Sequence, residues 1–254
     1  MDYATTFKRE FSELQTRYTN IASFIKEMGQ GKVRSLIVNG PPGVGKSYVV
    51  GEQLAKQNPR KHKIVNGHMS LLSLYAALYA YKDKGSVLVL DDVDSVFTKV
   101  EGLNLLKAAM DTKAIRNIHW ESSSAMLNQM GLPTSFQFNG AVILISNVGF
   151  GGATTKCMAH LNALKDRSYC IPVASGGEDS CFKQVAYMVV KRKMLASYDF
   201  TEREVTMLLD YVAKNRNKLY TVSLRTMIKL ADIYKMNKRG WRAMADAGLL
   251  KAVA

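Results

Sequence analysis

Eight residues, Gly40-Pro41-Pro42-Gly43-Val44-Gly45-Lys46-Ser47, constrain this chain more than any other stretch. They follow an apolar run, Leu36-Ile37-Val38, and precede a segment of helical character from Ser47 to Lys56. The pattern G-x-x-x-x-G-K-[ST] binds phosphate only as a strand-to-helix loop, which is the setting these flanks predict. Its glycines let backbone N–H groups turn into the hollow of the loop, and the positive end of the next helix favours an anion there. Lys46 then reaches the β- and γ-phosphates of a nucleoside triphosphate, and the Ser47 hydroxyl completes the shell of Mg²⁺. A glycine-rich turn without a ligand is the competing explanation, and the complete motif in its setting speaks against it.

The chain is long enough, at 254 residues, for a large core with or without a smaller partner domain, and its 47% apolar content is that of a globular protein. It contains no long uninterrupted apolar run and no signal-peptide pattern at its N-terminus, so a cytoplasmic protein off the membrane is expected. Cys157, Cys170 and Cys181 show no metal-ligand spacing, and reduced thiols are the simplest reading. The four histidines are scattered outside any zinc pattern. A net charge of +14 raises the local concentration of polyanions, of which nucleic acid is the commonest.

Phe7, Phe11, Leu14, Tyr18, Ile21, Ile25 and Met28 repeat at alternating four-three spacing, which puts them on one helical stripe ended by Gly29 and Gly31. That stripe docks on the body of the protein or on a neighbouring subunit. Lys63-Ile64-Val65 reads as a short buried strand, and Leu71, Leu74, Tyr75 and Leu78 mark a helix. Val87-Leu88-Val89-Leu90 is a strand that ends in Asp91-Asp92. Alternating strands and helices predict a parallel sheet covered on both faces, with ligands at the strand C-termini. There Asp91 would hold Mg²⁺ through its water shell, while Asp92 would orient or activate the attacking water. Asp94 is the alternative base, although a turn or cap suits it better.

Residues 103–110 look helical, and Ile115–Trp120 with Ser135–Phe138 suggest a hairpin projecting from the body. A further strand, Ala141–Ile145, ends at Ser146-Asn147, where the Asn147 amide could meet the γ-phosphate or the attacking water; an Asn in a turn is the plainer reading. The Gly-rich turn from Gly149 to Gly152 leads to a helix from about Thr155 to Leu164, then Arg167 and a last strand, Tyr169–Ile171. Ser175-Gly176-Gly177-Glu178-Asp179 is the best linker, and beyond it the chain reads all-helical, with a capping box at Thr201/Glu204 and a cap at Ser223. The expected fold is α/β: a P-loop parallel sheet sandwiched by helices, with a small C-terminal helical lid. We divide the chain into an N-terminal helical segment (1–34), a P-loop core (35–177) and the lid (178–254).

This order of P-loop, Asp91-Asp92, polar strand tip, Arg and helical lid resembles the AAA+ ATPases, from about Ser35 to Tyr234. The resemblance implies ATP with Mg²⁺ and a homo-oligomer, usually a hexameric ring or spiral with ATP at subunit interfaces. It implies that Asn147 is the first sensor, that Arg167 is an arginine finger acting on a neighbour's ATP, and that Arg225 is the second sensor. The acidic motif ends Asp-Asp where the family usually has Asp-Glu, which points to slow turnover. The string Trp120…Gly131-Leu132-Pro133…Ser135-Phe136…Ile145-Ser146-Asn147 looks like small bacteriophage AAA+ proteins.

The polymer acted on stays open. A DNA-directed role similar to helicase loaders or clamp loaders, with a protein partner in the replication machinery, fits the charge and the clusters Arg60-Lys61-His62-Lys63, Lys191-Arg192-Lys193 and Lys235…Lys238-Arg239…Arg242. Trp241 stacks on a base in that reading and belongs to the lid core otherwise. A protein remodeller is the alternative, but Gly67-His68-Met69, placed like a pore loop, lacks the gripping aromatic. An ATP-gated scaffold with little turnover is the third.

Overall fold

The computed structural model describes residues 2–120, 125–147, 155–174 and 176–251. The expected glycine turn at 149–152 and Ser175 of the linker lie outside the described residues, as does the side chain of Asp94. The chain divides into two compact units. One comprises 19–39 and 46–172; the other comprises 1–18, 40–45 and 173–254.

The first unit is built on a five-stranded sheet. Its strands are β1 (Ser35–Gly40), β2 (His62–Asn66), β3 (Val87–Asp91), β6 (Ala141–Asn147) and β7 (Tyr169–Pro172), in the spatial order β2-β3-β6-β1-β7. Pairing is parallel, with Val87 opposite Ala141 and Leu36 opposite Tyr169. The continuous apolar runs of β1, β3 and β6 put them in the middle, because a parallel strand is covered on both faces. Ile37, Leu88, Leu90, Val142 and Leu144 join one core with α4 (Leu71–Ala80), α6 (Val100–Ala109) and α8 (Thr155–Asp166). The alternate residues Leu36, Val38, Val87, Val89 and Ile143 point to the other face and are equally buried.

Two expectations need correction. β2 is an edge strand with Lys63 and Ile64 exposed, since among the described residues only β3 pairs with it. The hairpin exists as β4 (Asn117–His119) and β5 (Ser135–Gln137), but it lies on the body. Ile118, Phe136 and Phe138 enter the core, and Tyr75 meets both Trp120 and Phe136 ring to ring. Buried Arg116 anchors it by donating to the carbonyls of Ala109 and Gly140. Burial pushes its guanidinium down to about 10. Short helices α5 (Asp94–Phe97) and α7 (Ala125–Gln129) complete this part of the chain.

The N-terminal stripe forms α1 (Tyr3–Thr6) and α2 (Lys8–Gly29). Phe11, Leu14, Tyr18, Ile21, Ile25 and Met28 are all buried within the chain itself, each worth about 1.5–3 kcal/mol of apolar burial. The helical unit adds α9 (Glu178–Val190), α10 (Glu202–Asn215), α11 (Leu224–Met236) and α12 (Trp241–Leu249). Trp241 is 4% exposed and packs edge-on against Tyr211 and Tyr234, so it is a core residue here and not a platform for a base. The three cysteines form no disulfide, and no helix of the described residues is long and apolar enough to cross a membrane.

The predicted capping box at α10 is present, and Glu204 does more than cap. Its carboxylate accepts from Lys238 Nζ, the Thr201 N–H and the Tyr234 hydroxyl at 2.8–2.9 Å. The Lys238 bond leads in holding it at about 2. A carboxylate lowered by folding stabilises above its unfolded pKa, near 4.3, and that stabilisation fades as pH falls through about 2. Glu204→Gln should therefore melt below wild type at pH 7, with the gap closing by about pH 2. Circular dichroism melts across that range check this, and a gap unchanged at pH 2 would contradict it.

Candidate functional site

Parallel strands bring their C-termini to one edge, and there β6 lies between β1 and β3. Asn147 at its tip therefore stands between the phosphate-loop strand and Asp91-Asp92. Lys46, the first residue of α3 (Lys46–Leu54), donates from Nζ to Asn147 Oδ1 at 2.8 Å. Asn147 Nδ2 donates to Asp92 Oδ1 at 2.7 Å. Three residues from three separate stretches of sequence make one continuous chain: ammonium, amide, carboxylate. Lys46 is only 5% exposed and Asp91 8%, whereas Ser47, Asp92 and Asn147 face solvent.

Asp92 has φ +51°, a left-handed conformation that a non-glycine residue adopts reluctantly. Its N–H is tied to the Ile145 carbonyl at 3.3 Å. Backbone strain of this kind concentrates where a side chain must be aimed. Here it turns the carboxylate toward Asn147.

The oxygen donors on this edge suit Mg²⁺, a hard cation that keeps several waters and shares its shell with phosphates. No group of three or more His, Cys, Asp or Glu side chains able to hold a metal exists among the described residues. An ion here would rest on the Asp91 carboxylate, the Ser47 hydroxyl, water and the nucleotide itself.

Loop residues 40–45 group with the helical unit. Leu224 N–H donates to the Gly43 carbonyl at 2.8 Å, and Gln184 Nε2 to the Val44 carbonyl at 3.1 Å. Gly43 has φ +71°, and a Cβ on it would meet Ser223 Cβ at 2.7 Å, so only glycine fits. Arg225 follows Leu224 on α11 and is exposed. Gln184 was not recognised in the sequence. A lone Gln in a helix carries no signal, and only its complete burial marks it out.

Arg167 stands at the other edge of the sheet. Ser35, the first residue of β1, donates from Oγ to the Arg167 carbonyl at 2.9 Å. A six-residue strand separates that point from the phosphate loop, about 20 Å. The guanidinium donates to the Ala163 carbonyl at 2.8 Å and lies 3.8 Å from Asp111 Oδ2. Asp111 is held below the usual carboxylate range, first by the Lys113 N–H and then by Arg167. Among the basic clusters, Arg60, Lys61, Lys63, Lys191, Lys193, Lys235, Lys238, Arg239 and Arg242 are exposed.

A phosphate loop, an acidic pair and a polar strand tip on one sheet edge, with a helical unit later in the chain, give this protein the AAA+ P-loop fold. The RuvB Holliday junction branch migration motor of Thermotoga maritima shares this fold with a TM-score of 0.52 at 11% identity, over 93% of this chain and 68% of that one. The chain belongs to the same family as the "uncharacterized 36.7 kDa protein in nrdC-mobD intergenic region" of Enterobacteria phage T4. The two are 32% identical over 248 residues, which is 94% of this chain and 76% of the relative. No protein-family model matches the chain.

Two substitutions test the edge. Lys46→Met keeps the buried stem and removes the charge, so ATP affinity should fall on the order of tenfold or more. Asn147→Ala should bind ATP normally and hydrolyse it on the order of 10² more slowly, the scale for loss of one aimed donor. Binding titrations beside steady-state turnover separate the two effects.

Proposed function

We propose that the chain is a Mg²⁺-dependent ATP hydrolase that works as a ring or spiral of identical subunits and remodels a nucleic-acid complex. The observation that carries the reading is the Lys46–Asn147–Asp92 chain on the phosphate-loop edge. In this reading Lys46 exchanges the Asn147 carbonyl oxygen for phosphate, and the freed amide helps Asp92 orient the attacking water. Asp91 and Ser47 hold Mg²⁺, which neutralises charge on the transferring phosphoryl group. Arg225, next to the Leu224 whose N–H holds the Gly43 carbonyl, serves as the second sensor in this reading.

Arg167 lies about a strand's length from its own phosphate loop, so it can serve ATP only across an interface. Its contacts with Ala163 and Asp111 hold the side chain near that surface until a neighbour supplies phosphate. Support for nucleic acid comes from the +14 charge, the exposed basic clusters and the likeness in fold to a branch migration motor. DNA is the favoured polymer, and a role beside the replication machinery follows from it.

Arg167→Ala should fold, bind ATP and lose about 10³-fold or more in turnover. Mixed with Lys46→Ala, itself inactive, it should regain part of the activity, because some interfaces then join an intact loop to an intact Arg167. Single- or double-stranded DNA should raise wild-type turnover, in a manner that weakens as salt rises. Full activity of Arg167→Ala would exclude the shared site. Stimulation by unfolded protein but not by DNA or RNA would favour the protein-remodelling alternative.

A further inference from the structure

The carbonyls on the outside of a phosphate loop decide what its N–H groups do inside. A trans peptide is planar, and its C=O and N–H point in opposite directions. Whatever grips the Gly43 carbonyl therefore aims the Val44 N–H, and whatever grips the Val44 carbonyl aims the Gly45 N–H. The first grip is the Leu224 N–H, a backbone contact. The second is a side chain, Gln184, which lies on α9 some 140 residues further along the chain.

We propose that Gln184 is a positioning residue for triphosphate binding, turning the Gly45 N–H into the phosphate cradle by holding the Val44 carbonyl outward. Gln184 is completely buried, 0% exposed, although it is an uncharged polar residue in an otherwise apolar helix face. Its Nε2 serves both the Val44 carbonyl and the Tyr18 hydroxyl, while its Oε1 meets no hydrogen-bond partner among the described residues. A buried amide with one end unsatisfied destabilises the fold, so packing alone does not account for glutamine at this position. An apolar residue of the same length would fill the space without that cost.

The grip is itself aimed. Tyr18 on α2 stacks on Tyr187 with ring centroids 5.4 Å apart and planes 10° apart. Tyr187, one turn after Gln184 on α9, donates its hydroxyl to Gln15 Oε1 at 2.5 Å. The N-terminal helix thus fixes the rotamer of Gln184 through Tyr18 and fixes α9 through Tyr187. Through this path a displacement of α2 is felt as a change in nucleotide affinity.

The proposal rests on the reading of Gly40–Ser47 as a triphosphate site, and the experiment separates the two. Gln184→Met keeps length and apolar bulk but has no donor, and Tyr18→Phe removes only the hydroxyl that orients Gln184. Each full-length variant is titrated with a fluorescent ATP analogue and Mg²⁺, then assayed for turnover and thermal unfolding. Gln184→Met should weaken binding about three- to tenfold, the range of one lost hydrogen bond, and Tyr18→Phe by less. The loss should appear in KM with kcat at saturating ATP nearly unchanged, because the N–H cradle grips ground state and transition state alike.

Folded Gln184→Met with wild-type affinity, or with a lowered kcat and an unchanged KM, would overturn the role of Gln184. Should Gln184→Met fail to fold, Tyr18→Phe decides: wild-type affinity there overturns the proposal, and weakened affinity at an unchanged melting temperature supports it. A wild-type protein that binds no triphosphate would overturn the site itself, a result that Gln184 cannot produce.

Discussion

One side-chain amide ties the phosphate-binding edge together. Asn147 receives the Lys46 ammonium on its oxygen and offers its N–H to the Asp92 carboxylate, so a cation and an anion sit at opposite ends of one planar group. The arrangement needs β6 between β1 and β3, and the strand order provides it.

The same parallel sheet holds Asn147 and Arg167 at opposite edges. Strand C-termini gather Gly40, Asp91 and Asn147, while Arg167 precedes the N-terminus of β7 and stays beside Ser35. No side chain spans that distance, so Arg167 does not reach Asn147 within the same chain. Within its own unit the phosphate loop has two carbonyls held, one by α9 and one by the start of α11.

Much of this was legible in the sequence because it is local. A strand, a glycine loop and a helix are consecutive in residues 36–54, and acidic residues directly after four apolar ones declare a buried strand ending at a site. The capping signals at Thr201 and Ser223 act within three residues and stand as expected. What pattern reading misses is partner choice. Lys63-Ile64-Val65 looks like a buried strand, but its place at the sheet edge depends on which neighbours pair. The 115–138 hairpin looked detached because its polar residues face out, yet Ile118, Phe136 and Phe138 alternate inward to the core. Trp241 sits among lysines and arginines in sequence but among tyrosines in space. Gln184 is the extreme case, since nothing near it in the chain hints at Val44.

The most direct test of the account is single-turnover hydrolysis by Asp92→Asn. Asparagine tolerates the left-handed backbone at φ +51° and can still accept from Asn147 through its carbonyl oxygen, so the edge should stay in place. Only the charge needed to orient and activate water is lost. With ATP bound at wild-type affinity, the rate of phosphate release should drop on the order of 10²–10⁴, the usual contribution of an acid–base group. Hydrolysis at the wild-type rate would show that Asp92 does not act on the water and that the Lys46–Asn147–Asp92 chain is structural.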